Sequence, residues 1–396
     1  MFAPLNASDS FASSTSAVVI GSGRFVRCVL VPVLRSIGSG VVLAQPRGHD
    51  FADACAQAQG KYEVDTYEAD GSGCYHFKDA DRCGVGSLGS EAGRAAFMEL
   101  PSKLPQLRYI GFAVTDSGIT KNSQVIKDLG EFLFRAFQAI PENVLSIINT
   151  DNVPNNGDAI KRCVLAYIVY LFALLLPSPD NLPVWICVIP NVFSFVLESD
   201  WSGKPVDMTA FVNYLSSKVH FHNTMVDRLT TYRPGNHLVP LTEPWPTKTM
   251  VIEDLHAVLD ANAFVAHRGV HIRTSKADFE KDILLKLCVL NGTHSAVIYL
   301  MALLRMRKNQ DIVKLPILRE FVDLIFEKDI LPSMVARGVS KEATQQAFDE
   351  WMARVENGGV ALDNLWIAMD TMFRYRVRLF NCIQANVAHD PSYRPS

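Results

Sequence analysis

The sequence predicts an α/β protein in two parts: an N-terminal region of short strands alternating with helices, then a mostly α-helical C-terminal region. Three observations carry this. Short apolar runs at residues 17–20, 41–45, 107–115 and 143–148 are strand-sized and separated by polar or helical stretches. A glycine-rich turn, Gly21-Ser-Gly23, follows the first run directly and opens an apolar stretch that reads as a helix. From about residue 251 the pattern becomes helical, with charged and apolar residues at helical spacing through 253–263, 277–304, 315–326, 341–355 and 364–380. A chain of 396 residues exceeds one small domain. The expected division is 1–245 and 246–396, with the proline-rich stretch 240–246 as the connection.

The first strand, turn, helix and second strand follow the order that opens a Rossmann-type dinucleotide-binding domain, and a lone Gly-x-Gly equally fits an ordinary strand-to-helix turn. Backbone amides at such a turn, together with the helix N-terminus, hold a pyrophosphate. Gly21, Gly23, Arg24 and Phe25 are the candidates. A full fingerprint has a third small residue where the helix packs on the strand, and Val26 stands there. The second strand ends in Gln45-Pro-Arg47 rather than the acidic residue that usually meets a ribose hydroxyl. Arg47 suits a 2′-phosphate or is a solvated charge, so NAD(H) is favoured with NADP(H) left open.

The later elements follow the same logic. Residues 124–139 read as a helix. The strand at 143–148 closes on Asn149-Thr-Asp151-Asn152-Val-Pro-Asn155-Asn156-Gly157, a cluster of amides that forms either a ligand site at a strand end or a plain turn. The apolar run 163–176 is about 14 residues, short of the roughly 20 needed to cross a bilayer, and Pro177 ends it. It reads as a core helix. Tyr214 and Lys218 share the bare Tyr-x-x-x-Lys spacing of short-chain reductases, but without that class's glycine turn they read as a helix face. Residues 1–19 lack the features of a signal or transit peptide and are expected to be a loose leader.

Bulk properties exclude several classes. The composition is 48% hydrophobic and 20% charged, ordinary for a globular protein. A net charge of -3 supplies no drive toward nucleic acid or an anionic membrane. The eight cysteines include no Cys-x-x-Cys pair. They are read as reduced thiols of a cytoplasmic protein with no metal site. The sequons at Asn6 and Asn291 are discounted, because nothing indicates secretion.

The chemistry concentrates in Lys286-Leu-Cys-Val-Leu-Asn291-Gly-Thr-His294. On an α-helix at about 100° per residue, these three polar positions fall within roughly 140°. One face can therefore present an amine, an amide and an imidazole to a small polar substrate. Apolar surroundings lower a lysine's pKa toward the range of a general base. The competing reading is a buried helix with polar residues at one end.

Several separated motifs then line up in order. They are Gly21-Ser-Gly-Arg-Phe-Val-Arg27, Thr115-Asp-Ser-Gly118, Asp151-Asn152, Asn156-Gly157, Phe221-His-Asn223-Thr-Met-Val226-Asp227-Arg228, Thr242-Glu-Pro244, Val251-Ile-Glu253-Asp254 and the Lys286–His294 stretch. Together they make the chain resemble the polyol-specific long-chain dehydrogenases, the mannitol dehydrogenase family. The family also includes mannitol-1-phosphate 5-dehydrogenase and the hexuronate reductases. The resemblance implies metal-independent hydride transfer between a nicotinamide and a sugar alcohol or ketose. It implies Lys286 as general acid/base, Asn152 and Asn291 as the amides around the reacting oxygen, and His294 as the group positioning substrate oxygens. It places Thr115, Asp116, Val226 and Asp227 at the cofactor, and Asn223 and Asp227 at the substrate.

Two departures matter. The chain is longer than its relatives between Asn152 and Asp227, an insertion near 178–205, and His222 stands where relatives have proline. At the C-terminal end, Arg354-Val-Glu-Asn357 resembles a substrate-contacting element, and Arg374 falls on a family lysine. Arg354, Arg374, Arg376 and Arg378 are candidates for an anion pocket, because guanidinium groups bind phosphate in a bidentate fork. The expected substrate pair is mannitol 1-phosphate and fructose 6-phosphate. Mannitol 2-dehydrogenase and tagaturonate or fructuronate reductase are the alternatives, and a nucleotide-sensing pseudo-dehydrogenase is the non-enzyme alternative.

Overall fold

The computed structural model describes residues 13–67, 74–76, 83–114, 118–120, 122–151, 153–175, 208–356, 362–368 and 371–396. The expected insertion at 178–205 lies outside them, as do Asn152, Thr115 and Asp116.

Contacts divide the chain into two compact units, though not at a single cut near residue 245. The first comprises Met1–Glu63, Phe77–Val226 and Ile252–Ile272; the second comprises Val64–His76, Asp227–Val251 and Arg273–Ser396.

The first unit is built on a parallel six-stranded sheet. In spatial order its strands are Gly84–Ser87, Gly40–Gln45, Thr15–Ile20, Tyr109–Phe112, Leu145–Asn149 and Val219–His222. Numbered along the chain, this is 3-2-1-4-5-6, the Rossmann order that reverses direction beside the first strand. The strands Thr15–Ile20, Gly40–Gln45 and Tyr109–Phe112 are buried except at Ser16, and their apolar runs at 17–20, 41–44 and 109–112 are what a parallel sheet covered on both faces requires. The first strand begins at Thr15, so the expected loose leader already contains sheet. The helix Gln124–Ala139 forms as its periodicity predicts, with Ser123 Oγ accepting from the Ile126 amide as N-cap. It packs on Asn156–Leu175 closely enough that a Cβ at Gly130 would lie 2.8 Å from the Tyr167 ring. Tyr214 is 4% exposed and its ring lies 5.5 Å from that of Phe137, while Lys218 pairs with Glu142 at 3.4 Å. The Tyr-x-x-x-Lys spacing is thus core and surface.

The helical pattern expected at 253–263 is not realised there. Met250–Glu253 and Val270–Arg273 are strands, and between them the described helix is only Ala261–Val265. Val251-Ile252 and Val270 with Ile272 are β-branched, and a turn-forming stretch separates the two runs, so strand propensity wins over a weak 3.6-residue period.

The second unit holds an antiparallel hairpin, Thr230–Arg233 with Asn236–Thr242, whose second strand pairs in parallel with Asp65 and Thr66. Arg233 clamps Asp65 with contacts of 2.6 and 2.7 Å. Cys74–His76 completes that sheet, and from Lys276 on the described residues of this unit are mostly helical. A continuous helix, Lys276–Leu303, is long and apolar enough to cross a membrane by composition, but here it is a core helix of this unit. Helices Pro316–Ile325, Lys341–Glu356 and Asn381–His389 pack with it around Phe326, Phe348 and Trp351. The Phe326 and Phe348 rings stack at 3.9 Å.

Candidate functional site

The helix Lys276–Leu303 is not α-helical throughout. Residues Leu285–Leu290 form a π-turn, closed by the Asn291 amide donating to the Lys286 carbonyl. In an α-helix these residues would stand about 140° apart. The i→i+5 register instead turns Asn291 toward the side of the helix that carries Lys286, and such turns are frequent at functional sites. Lys286 is 7% exposed. Asn291 is half-buried, and its side-chain amide makes no hydrogen bond among the described residues. His294 lies a turn further on, its ring edge-on to Trp351 at 6.0 Å. Its Nε2 is buried without a partner. Burial, followed by the fields of Arg378 and Arg354, lowers its pKa to about 4, against an opposing pull from Asp227. The ring is therefore neutral near pH 7.

Asp227 is held beside this face. Burial alone would raise its carboxyl, but Arg354 and then Lys286 outweigh burial and keep it below the usual carboxylate range. Arg354, on helix Lys341–Glu356, is fully committed. Its Nη1 donates to Asp227 at 2.6 Å, and its Nε and Nη2 fork onto Glu243 at 2.9 and 2.7 Å. Glu243 also accepts from the Leu229 amide at 2.6 Å. Its own carbonyl is gripped by Arg228, whose guanidinium lies 4.2 Å from the Trp245 ring centroid. One guanidinium between two carboxylates leaves the trio net negative, which removes Arg354 from the expected anion pocket. Glu243 was missed as a functional candidate: a carboxylate in Thr-Glu-Pro carries no spacing signal, and its partner is 111 positions away.

The remaining arginines separate. Arg376 is exposed. Arg374 donates from Nη1 to the Ile367 carbonyl at 2.6 Å, and Arg378 donates from Nη1 to Ser295 Oγ at 2.8 Å. Arg378 keeps a buried Nε without a partner. Burial first, then the neighbouring charge of Arg374, pushes its pKa down to about 10. Neither Arg374 nor Arg378 has a carboxylate partner among the described residues. Two neighbouring guanidinium groups present donors of the kind that suit an anion.

In the first unit, Gly21 has φ +141°, and a Cβ there would lie 2.6 Å from the Ala113 carbonyl oxygen, so only glycine fits. Gly23 is exposed, and a Cβ would meet nothing within 4 Å, which leaves open space over the turn. Arg24 and Phe25 begin the helix and are half-buried. Val26 is buried and opens a π-turn, Val26–Leu30, in place of the close packing a third glycine would allow. These features fit a dinucleotide pyrophosphate. Arg47 is exposed. Gln45, at the end of the second strand, is a structural tie: it donates to the Arg47 carbonyl and to Asp50, and accepts from the Ala52 amide, all at 2.8 Å.

The amide cluster after the fifth strand is a clip. Asn156 donates to the Asp151 carbonyl and to both oxygens of Thr224, and accepts from the Gly157 and Thr224 amides. A Cβ at Gly157 would collide with the His222 carbonyl oxygen. Asn223 is 5% exposed and fully used: it accepts from the Asp158 amide at 3.1 Å and donates to Asp158 and Glu253 at 3.2 and 2.7 Å. It has no N–H left for a substrate, contrary to its expected role. The Val226 side chain is buried. His222 bonds through Nδ1 to the Glu253 carbonyl at 2.9 Å, and burial lowers its pKa. It packs locally. No group of three or more potential metal ligands occurs among the described residues.

The strand order and the Gly21 turn define a Rossmann-type fold joined to a helical C-terminal part. No family model matches the sequence, and no curated protein matches it. Solved structures do match the fold. A D-sorbitol dehydrogenase in substrate-free form aligns with a TM-score of 0.71 at 18% identity, covering 96% of this chain and 77% of that one. Mannitol 2-dehydrogenase from Pseudomonas fluorescens, solved as a ternary complex with NAD and D-mannitol, aligns with a TM-score of 0.65 at 16% identity, covering 95% and 76%. At these identities the likeness is one of fold.

Proposed function

We propose that this protein transfers hydride between a nicotinamide cofactor and a polyol or ketose without a metal, and that its substrate carries a phosphate. The reversible pair is then mannitol 1-phosphate and fructose 6-phosphate. The observation that carries this reading is the π-turn, which turns Asn291 toward the side of the helix that carries Lys286, with a neutral His294 of unpartnered Nε2 a turn further on. A bound nicotinamide would supply or accept the hydride, and the turn at Gly21 and Gly23 would hold its pyrophosphate. Lys286 takes the hydroxyl proton in oxidation and returns it in reduction. Asn291 donates to the oxygen on which charge develops. The field of Lys286 helps to keep Asp227 ionised beside it. The roles of Asn152, Thr115 and Asp116 rest on the family resemblance, and the place of Val226 and Asp227 beside the nicotinamide rests on it as well.

The phosphate part rests on Arg374 and Arg378, neighbouring guanidinium groups without a carboxylate partner among the described residues. Oxidation of NADH should be followed with fructose, fructose 6-phosphate and tagaturonate, each with EDTA present, and NADPH should be compared. The reading expects turnover on fructose 6-phosphate that EDTA leaves unchanged. Turnover on fructose alone would make the two arginines structural. Turnover on tagaturonate alone would assign them to a carboxylate.

A further inference from the structure

Cys288 and Cys382 meet at a single guanidinium in the second unit. Arg337 Nη2 lies 3.4 Å from Cys288 Sγ and 3.6 Å from Cys382 Sγ. Arg337 is itself fixed, donating from Nε to the Ser333 carbonyl at 3.2 Å and from Nη2 to Ser333 Oγ at 3.3 Å. No carboxylate pairs with it among the described residues, so the sulfurs are its partners for negative charge. Both cysteines are free and 1% exposed. The two thiols differ. The hydrogen bond from Cys382 is the largest influence on Cys288; with the field of Arg337 it lowers the Cys288 thiol to about 6 against burial. Cys382 is pushed up by the same bond and by burial. The shared bond and Arg337 thus favour the thiolate at Cys288 over that at Cys382.

The first unit supplies a contrast. Cys55 is raised to about 12 by burial, with neighbouring Cys83 adding to the effect against Arg27, so it stays a neutral thiol. The thiolate is the nucleophile, and a thiolate next to a second thiol is the arrangement from which a disulfide forms.

We propose that Cys288 and Cys382 form a reversible oxidation site that a small neutral peroxide converts to a disulfide. The Cys288 sulfur attacks one peroxide oxygen, the O–O bond breaks, and hydroxide leaves, giving a sulfenic acid. Cys382 sulfur then attacks Cys288 sulfur and the S–O bond breaks. The Cys382 proton leaves with that oxygen as water. Two electrons pass from the two sulfurs to the peroxide. Cys288 lies within the π-turn that carries Lys286, and the Cys382 sulfur lies 3.3 Å from the Arg378 carbonyl. The bond would therefore form between two segments that carry groups of the candidate site.

The test uses the full chain and needs no turnover. The reduced protein is exposed to hydrogen peroxide, alkylated under denaturing conditions, and mapped by mass spectrometry. The expected product is a Cys288–Cys382 crosslinked peptide, reversed by dithiothreitol and formed before any change at Cys55 or Cys83. Cys382→Ser should stop at a Cys288 sulfenic acid that dimedone traps, and Arg337→Gln should slow crosslinking by about tenfold. Cys288 and Cys382 remaining thiols, Cys288 passing to sulfinic acid without crosslinking, or another cysteine reacting first would each overturn the proposal. The unmodified chain decides this even where a variant fails to fold.

Discussion

Asn156 and Asn291 are the same residue in opposite situations. Asn156, in the first unit, is fully buried with both ends of its amide bonded, and it ties the end of a strand to Thr224. Asn291, in the second unit, is half-buried and its amide bonds to nothing described. A satisfied buried amide is structure. An open one, turned toward a lysine's side of the helix by a π-turn and followed by a histidine with a buried, unpartnered Nε2, is available to a ligand. Satisfaction of the polar groups separates scaffold from candidate chemistry better than residue type does.

The largest expected effect tests the tightest polar group. Arg354→Met leaves the Glu243 and Asp227 carboxylates without their cation. It should cost about 3–5 kcal/mol in denaturant unfolding. A loss below 1 kcal/mol would mean the trio is hydrated and not a fixed support. Next come the two asparagines. Asn291→Ala should lower turnover by about 10²–10³ while leaving stability within about 0.5 kcal/mol. Asn156→Ala should do the reverse, losing about 1–3 kcal/mol of stability because the Thr224 amide and its oxygens lose their partner. Equal stability losses for both would dissolve the contrast.

The smallest effect is a pH slope. The folded His294 imidazole titrates at about 4, below its ordinary 6.5. As pH falls through 6.5 the unfolded ring takes up a proton and the folded ring does not. The contribution is therefore present above about 6.5 and is lost progressively toward about 4. His294→Gln should remove about 2 kcal/mol of the stability lost between pH 7 and pH 5. Parallel pH curves for the variant and its parent would show that the ring is not held neutral.

Local pattern made much of the fold legible. The strand at the start, the Gly21 turn and the helix Gln124–Ala139 each carry their signal within a few residues. Met250–Glu253 and Val270–Arg273 did not, because short strands in a charge-rich stretch mimic a helical period. Lys286, Asn291 and His294 were visible as a cluster, but the sequence shows α-helical spacing and carries no mark of the π-turn. Asn223 and Arg354 were visible as motif positions, yet their partners, Glu253 and Glu243, are 30 and 111 positions away. Only the fold shows that these two are already occupied. The same limit hid Arg337 between Cys288 and Cys382.

The central claim is that the Lys286 face performs proton transfer on a substrate oxygen. Lys286→Ala, assayed for NADH binding by fluorescence and for ketose phosphate reduction, tests it most directly. The account predicts NADH affinity close to that of the unmodified protein and turnover lower by about 10²–10⁴. Unchanged turnover with intact folding would contradict it and return Lys286 to the role of a buried core residue.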